Sequence, residues 1–242
     1  MKNIQLATLT ICILLGAVSA SLAQRNTSVR GNGKLIEKTI SVSEYDRINV
    51  VGSMKVVLSS GAEGNIQVLA EENIQEHIVV ETKGDQLTVR IENGVSINPR
   101  KEIEVRVPFQ QISSVSLTGS GDIIANDEIK ADQFETSIVG SGEIALPLAA
   151  RTVDAKVTGS GEMELSGKVT ALELKLSGSG NFKGANLHSE SAQAYISGSG
   201  DASVYAKGSL KARVNGSGDI RYGGNPTQHD TKVLGSGSIK SM

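Results

Sequence analysis

Five carboxylates occupy the same local setting: Asp122, Glu143, Glu162, Asp201 and Asp219 each directly follow a Gly-Ser-Gly tripeptide. Acids gathered in this way have two familiar uses. Several carboxylate oxygens can surround a calcium ion, and a pair held at roughly 5–9 Å can cleave a glycosidic bond. Calcium-binding β-rolls set aspartates beside glycine-lined turns in a repeat of about nine residues. Here the spacing is about twice that, and Asn181 and Ser238 interrupt the row. Calcium on these five acids is therefore one candidate, beside a structural reading in which the row is an exposed charge complement; no other cofactor is indicated.

Apparatus for catalysis is sparse. The chain has no tryptophan, four tyrosines and three phenylalanines, so platforms for sugar rings are few. His77, His188 and His229 lie far apart without metal-ligand spacing and read as surface or turn residues. Serines are numerous because they repeat, whereas a nucleophile is a singular residue with its own base. The chain is read as non-catalytic.

The elements that must position these acids are set by the repeat. Gly-Ser-Gly begins at Gly119, Gly140, Gly159, Gly178, Gly198, Gly216 and Gly235, at intervals of 21, 19, 19, 20, 18 and 19 residues. Two residues before the first glycine stand Leu117, Ile138, Val157, Leu176, Ile196, Val214 and Val233, all aliphatic. Two residues after the second stand Ile123, Ile144, Met163, Phe182, Ala202, Ile220 and Ile239. Polar columns alternate with these, the pattern of strands with one buried face. One such unit buries too little apolar surface to stand alone, but stacked units share a continuous core. The expectation is an all-β fold, a parallel β-helix of about 19-residue coils with a less regular β region before it.

In that fold Gly-Ser-Gly belongs at a sharp corner between two short strands, where glycine admits positive φ or a close backbone approach. The corner residues are Gly119, Gly121, Gly140, Gly142, Gly159, Gly161, Gly178, Gly180, Gly198, Gly200, Gly216, Gly218, Gly235 and Gly237. Ser120, Ser141, Ser160, Ser179, Ser199, Ser217 and Ser236 could stack as a ladder of hydroxyls, each donating and accepting. Three residues before each motif lie Ser116, Ser137, Lys156, Lys175, Tyr195, Arg213 and Lys232. Like charges stacked at ~4.8 Å repel by about 0.9 kcal/mol even in water, and a basic row facing the acidic row across the corner would offset this. Tyr195, in place of a base, reads as an ordinary exposed strand residue, with a contact patch as the alternative.

Four segments follow from composition. Residues 1–23 carry Lys2, an apolar run and small residues at Ser21-Leu22-Ala23, the marks of a secretory signal peptide. Cys12, the sole cysteine, lies inside that run, so the mature chain would have no disulfide, thiol nucleophile or cysteine metal site. Cleavage leaves 23 bases against 26 acids, a net charge of −3, which favours neither nucleic acid nor an anionic membrane. Residues 24–39 are expected as a flexible lead-in. Residues 40–115 form an N-terminal β region continuous with the solenoid, and residues 116–242 hold the seven repeats.

In the N-terminal region strands are predicted at Arg47–Val51, Met54–Leu58, Asn65–Ala70, His77–Glu81, Gln86–Ile91 and Glu102–Val107, with a hairpin at Lys83-Gly84-Asp85 and at most one helical turn around Glu71–Glu76. Gly52-Ser53-Met54 reads as a degenerate corner, and its strands as the first coil.

The signal peptide, the entry Ile48-Asn-Val-Val-Gly-Ser-Met-Lys-Val-Val-Leu58 and the repeated Gly-Ser-Gly-Asp/Glu corner together resemble the bacterial head GIN domain family of auto-transporter adhesins, over roughly residues 40–240. The resemblance implies an exported, right-handed β-helix located in the periplasm, on the outer membrane or outside the cell, and brings no catalytic residues. The chain departs from an auto-transporter in ending directly after the last corner, with no segment that would build a membrane barrel. The functional expectation is a binding or surface-interaction module for an envelope or extracellular protein or glycan, without nucleic acid and without an integral membrane segment after cleavage. The alternatives are a structural envelope protein that associates end to end as a homo-oligomer through an uncapped last coil, and a carbohydrate-active enzyme.

Overall fold

The computed structural model describes residues 27–242, so the expected signal peptide over residues 1–23, with Cys12, lies outside the described residues. Among the described residues no helix is long and apolar enough to cross a membrane. The fold is all-β, a solenoid joined to a mixed N-terminal sheet, and seventeen of its strands form one continuous sheet.

In the repeat region four long strands each run from one corner to the next, and the coils on either side of these four are each split into two strands. Strands β12 (Ile129–Gly140), β13 (Glu143–Gly159), β14 (Glu162–Gly178), β15 (Asn181–Gly198) and β16 (Asp201–Gly216) pair in parallel, each with its successor. β17 (Asp219–Gly223) and β18 (Gln228–Gly235) pair with β16, and β19 (Ser238–Ser241) pairs with β17. The strands flanking a corner are not short, as the motif alone suggested, but reach 18 residues. The four coils of β13 to β16 make their second bend within one continuous strand. In β13 the inward positions Leu146 and Leu148 give way to Val153 and Ala155, and the change of phase across 149–152 marks that bend. The uneven repeat intervals are absorbed locally: register slips near Gly184 and Ser189 of β15 accommodate a coil of 20 residues against the 18 of the next.

The two glycines of each corner do different work. The first has φ between 113° and 139° at all seven corners, a region costly to any residue with a Cβ. The second has no positive φ. It is required by proximity: a Cβ on Gly180 would lie 2.4 Å from the Gly161 carbonyl oxygen and 3.0 Å from Val157 Cγ1. The serine hydroxyls form no ladder. All seven serines are exposed, and among the described residues no hydrogen bond joins their side chains. The coils are joined instead through the main chain, with each serine N–H donating to the first-glycine carbonyl of the preceding coil at 2.8–3.2 Å. At the first corner that acceptor is Gly52, whose φ of 136° and pairing with Gly119 make Gly52-Ser53-Met54 a corner in the same stack.

The coil built on Gly52 is not the first layer. Its strands, β3 (Arg47–Gly52) and β4 (Lys55–Ser60), carry β10 (Ser114–Gly119) and β11 (Asp122–Ala125) on one side and β7 (Gln86–Ile91) and β9 (Glu104–Phe109) on the other. Antiparallel strands then close this end. β6 (Ile78–Lys83) pairs with β7 through a turn at Gly84 of φ 63°, and β5 (Asn65–Glu71) pairs with β9 and with β2 (Leu35–Ser41). A single helical turn, α1 (Glu72–Gln75), follows β5.

The described part of the presumed lead-in is therefore structured: β1 (Thr27–Arg30) pairs with β8 (Val95–Asn98), and β2 is a seven-residue strand. Their polar residues hid them, because an edge strand over an already closed core needs no buried face of its own. Glu71 locks this end. Its carboxylate, 1% exposed, accepts N–H bonds from Gly33, from Arg100 at 2.7 Å and from Lys101 at 3.4 Å, joining three chain segments. Gly31 makes room for it, since a Cβ there would fall 2.0 Å from Glu71 Oε2.

Candidate functional site

The strict register of the coils turns repeat positions into straight columns on the outside of the solenoid. The corner acids form one: Asp122, Glu143, Glu162, Asn181 and Asp201 align coil upon coil, and Asp219 aligns with Ser238. From Glu162 onward their side chains bond between coils. Asn181 Oδ1 accepts the N–H of Asp201 at 3.4 Å, Asp201 Oδ1 that of Asp219 at 2.8 Å, and Asp219 Oδ1 that of Ser238 at 2.7 Å. Glu162 is bound to Lys183 Nζ at 2.5 Å, and this hydrogen bond holds the Lys183 ammonium above its usual pKa range. The Ser238 hydroxyl and N–H on Asp219 outweigh the cost of its burial and hold that carboxyl below the ordinary aspartate value. The five calcium candidates thus sit one to a coil. Among the described residues no group of three or more His, Cys, Asp or Glu converges closely enough to hold an ion.

The basic row does not face the corner acids. It is neutralised within its own sheet by acids two residues back: Lys156 by Asp154 at 3.3 Å and Lys175 by Glu173 at 2.6 Å. Alternate residues of one strand share a face, so these pairs form side by side, whereas the corner turns the post-corner acids onto another surface. Farther along, the arrangement changes. The acid column continues as Gln193, Lys211 and Asp230, opposite Tyr195, Arg213 and Lys232. Arg213 reaches forward one coil to Asp230, at 2.5 Å, and Lys211 Nζ lies over the Tyr195 ring, 5.8 Å from its centroid.

Here a groove of about 420 Å³ runs along the solenoid axis across four coils. Lys175, Tyr195, Arg213 and Lys232 form one wall, and Ser177, Ser197, Asn215 and Leu234 the other. Its floor is the backbone of Leu176, Ile196 and Val214, whose side chains point into the core and are 1–2% exposed. Of these residues, the sequence singles out the basic column and Tyr195. It does not single out Leu234, nor Lys211 beside the groove, although aligning the columns one and five residues before the motif exposes both as departures from their neighbours. The histidines lie elsewhere: His77 Nδ1 is 3.1 Å from Glu92, His188 packs on Tyr205 and His229 on Tyr222.

Residues 44–226 match the family model described as "Putative auto-transporter adhesin, head GIN domain". The chain belongs to this family. Several solved structures share the architecture. A "putative adhesin" from Bacteroides fragilis superposes with a TM-score of 0.83 at 24% identity, covering 88% of this chain and 100% of its own. A "putative lipid binding protein" from Parabacteroides distasonis gives 0.76 at 26% identity, covering 89% and 100%. A "putative adhesin" from Parabacteroides merdae gives 0.71 at 21% identity, covering 89% and 99%. No curated protein matches the chain. The family name is that of adhesins and not of an enzyme class, and it points to export.

Proposed function

We propose that this head GIN protein is an exported, non-catalytic binding module of adhesin type, and that its ligand lies on the sheet face before the corner. The observation that carries this reading is the groove beside Tyr195: a ring, cations and small polar groups line one continuous trough at the place where the neutralising acid column lapses. Tyrosine and arginine are the residues most often found at the energetic centre of contact surfaces. The corner column, by contrast, is occupied from Glu162 onward with bonds between coils.

The test is binding of the wild-type chain and of Tyr195→Ala to a panel of purified envelope glycans, proteins and lipid vesicles. Loss of the ring is expected to weaken the retained ligand about tenfold, while Glu164→Ala, on the sheet after the corner, binds as wild type. Equal binding by all three proteins would move the ligand off this face.

One observation favours a second reading, end-to-end self-association. Among the described residues β18 pairs on one edge only, and Val233 is 36% exposed although its counterparts in the five preceding coils are 0–2% exposed. An open edge of this kind is a template for another strand. Sedimentation across a concentration series is expected to show association that Val233→Lys abolishes; a monomer at every concentration would remove this reading.

A further inference from the structure

We propose that the groove takes an extended acidic polysaccharide, a uronate-bearing chain lying along the solenoid axis; this rests on the binding-face reading above and names its ligand class. The charge comes first. In the coils of Lys156 and Lys175 the cation of the basic column has its own carboxylate in the adjoining column, at 3.3 Å or less. In the next three coils the same two columns hold Gln193 and Tyr195, Lys211 and Arg213, Asp230 and Lys232: three cations against one carboxylate. Asp230 is taken by Arg213. Among the described residues Lys211 and Lys232 have no carboxylate within ion-pair distance. These two cations stand in adjacent coils, ~4.8 Å apart along the axis, Lys232 on the groove wall and Lys211 beside it over the Tyr195 ring, and they call for a ligand with anions repeated along its length.

The walls decide between kinds of anion. An acyl chain would need a trough of aliphatic side chains, but Leu176, Ile196 and Val214 are turned into the core, and Leu234 is the one aliphatic side chain on the outer wall. The exposed lining is mostly apolar and, besides Leu234, is made by the Tyr195 ring and the stems of Lys175, Arg213 and Lys232, short flat surfaces between cations that suit the face of a pyranose better than a continuous hydrocarbon tail. Opposite stand the Ser177 and Ser197 hydroxyls and the Asn215 amide, which can both donate to and accept from sugar hydroxyls. Cations for carboxylates, a ring for a ring and hydroxyl partners for hydroxyls thus repeat along one line.

The full chain is titrated with polygalacturonate, with its methyl ester, with dextran and with phosphatidylglycerol vesicles. Polygalacturonate is expected to bind, to weaken as ionic strength screens the contact, and to lose about tenfold for each cation removed in Lys211→Ala and Lys232→Ala; both positions are exposed, and circular dichroism confirms that the variants fold. Equal binding of the uncharged ester or of dextran, unchanged binding by the double variant, or binding to vesicles alone would overturn the proposal. If Tyr195→Ala still weakens another ligand of the panel while polygalacturonate is ignored, the glycan assignment fails and the binding face stands. If no ligand responds to Tyr195, both fail.

Discussion

Gly178→Val is expected to destabilise the protein by more than ~4 kcal/mol, beyond the usual range for one substitution. Two costs add. At φ 118° a β-branched residue is a backbone outlier, and its Cβ would sit 2.3 Å from the Gly159 carbonyl oxygen, which already accepts the N–H bonds of Ser179 and Gly180. The obstruction is main chain on main chain, so no rotamer change relieves it. Gly180→Val should be comparably damaging through contact alone, against Gly161 and Val157. Between them, Ser179→Ala is expected to change stability by no more than about 0.5 kcal/mol, because that residue contributes its N–H and not its hydroxyl. Urea unfolding of the three variants checks the assignment; a wild-type midpoint for Gly178→Val would show that the corner is not held by stacking.

Glu71→Ala is the second large effect expected, and it carries a pH signature. The substitution strips the acceptor from three main-chain donors at once and leaves a void against Gly31, so its melting temperature should fall well below that of Arg151→Ala, which removes only an exposed ion pair with Asp132. Burial pushes the Glu71 carboxyl up, but the N–H donors of Arg100, Gly33 and Lys101 outweigh it and hold the pKa below the usual glutamate value. With a folded-state pKa lower than the unfolded one, the stabilisation is complete above about pH 4.3 and is lost as pH falls through the folded value. The gap between wild type and Glu71→Ala should therefore be constant near neutrality and shrink in acid. A gap that widens in acid would mean that the carboxylate is not the group being held.

Much of the architecture was legible from residues that repeat. The aliphatic column from Leu117 to Val233 and the glycines from Gly119 to Gly237 dictate a stack, because a unit of that length has no other way to bury its inner face. Gln86–Ile91 and the hairpin at Gly84 could be placed by strand and turn chemistry. The edge strands β1, β2 and β8 could not: Thr27–Arg30 and Leu35–Ser41 are nearly as polar as a linker, and what makes them strands is the set of partners waiting at β8 and β5.

The candidate site divides along the same line. From sequence alone came the rows themselves, the corner acids, the basic column and the singular Tyr195, since a repeat assigns each residue a height and a face. Which rows meet was decided by the tertiary structure. The corner turns Asp122, Glu143, Glu162, Asp201 and Asp219 away from the lysines, so the lysines find Asp154 and Glu173 in their own strands. Register then brings Lys211 of one coil over Tyr195 of the coil before it, beside the groove. Column membership follows from spacing along the chain, but the side on which neighbouring columns face each other depends on where the coil bends, and that is settled by packing of the whole stack.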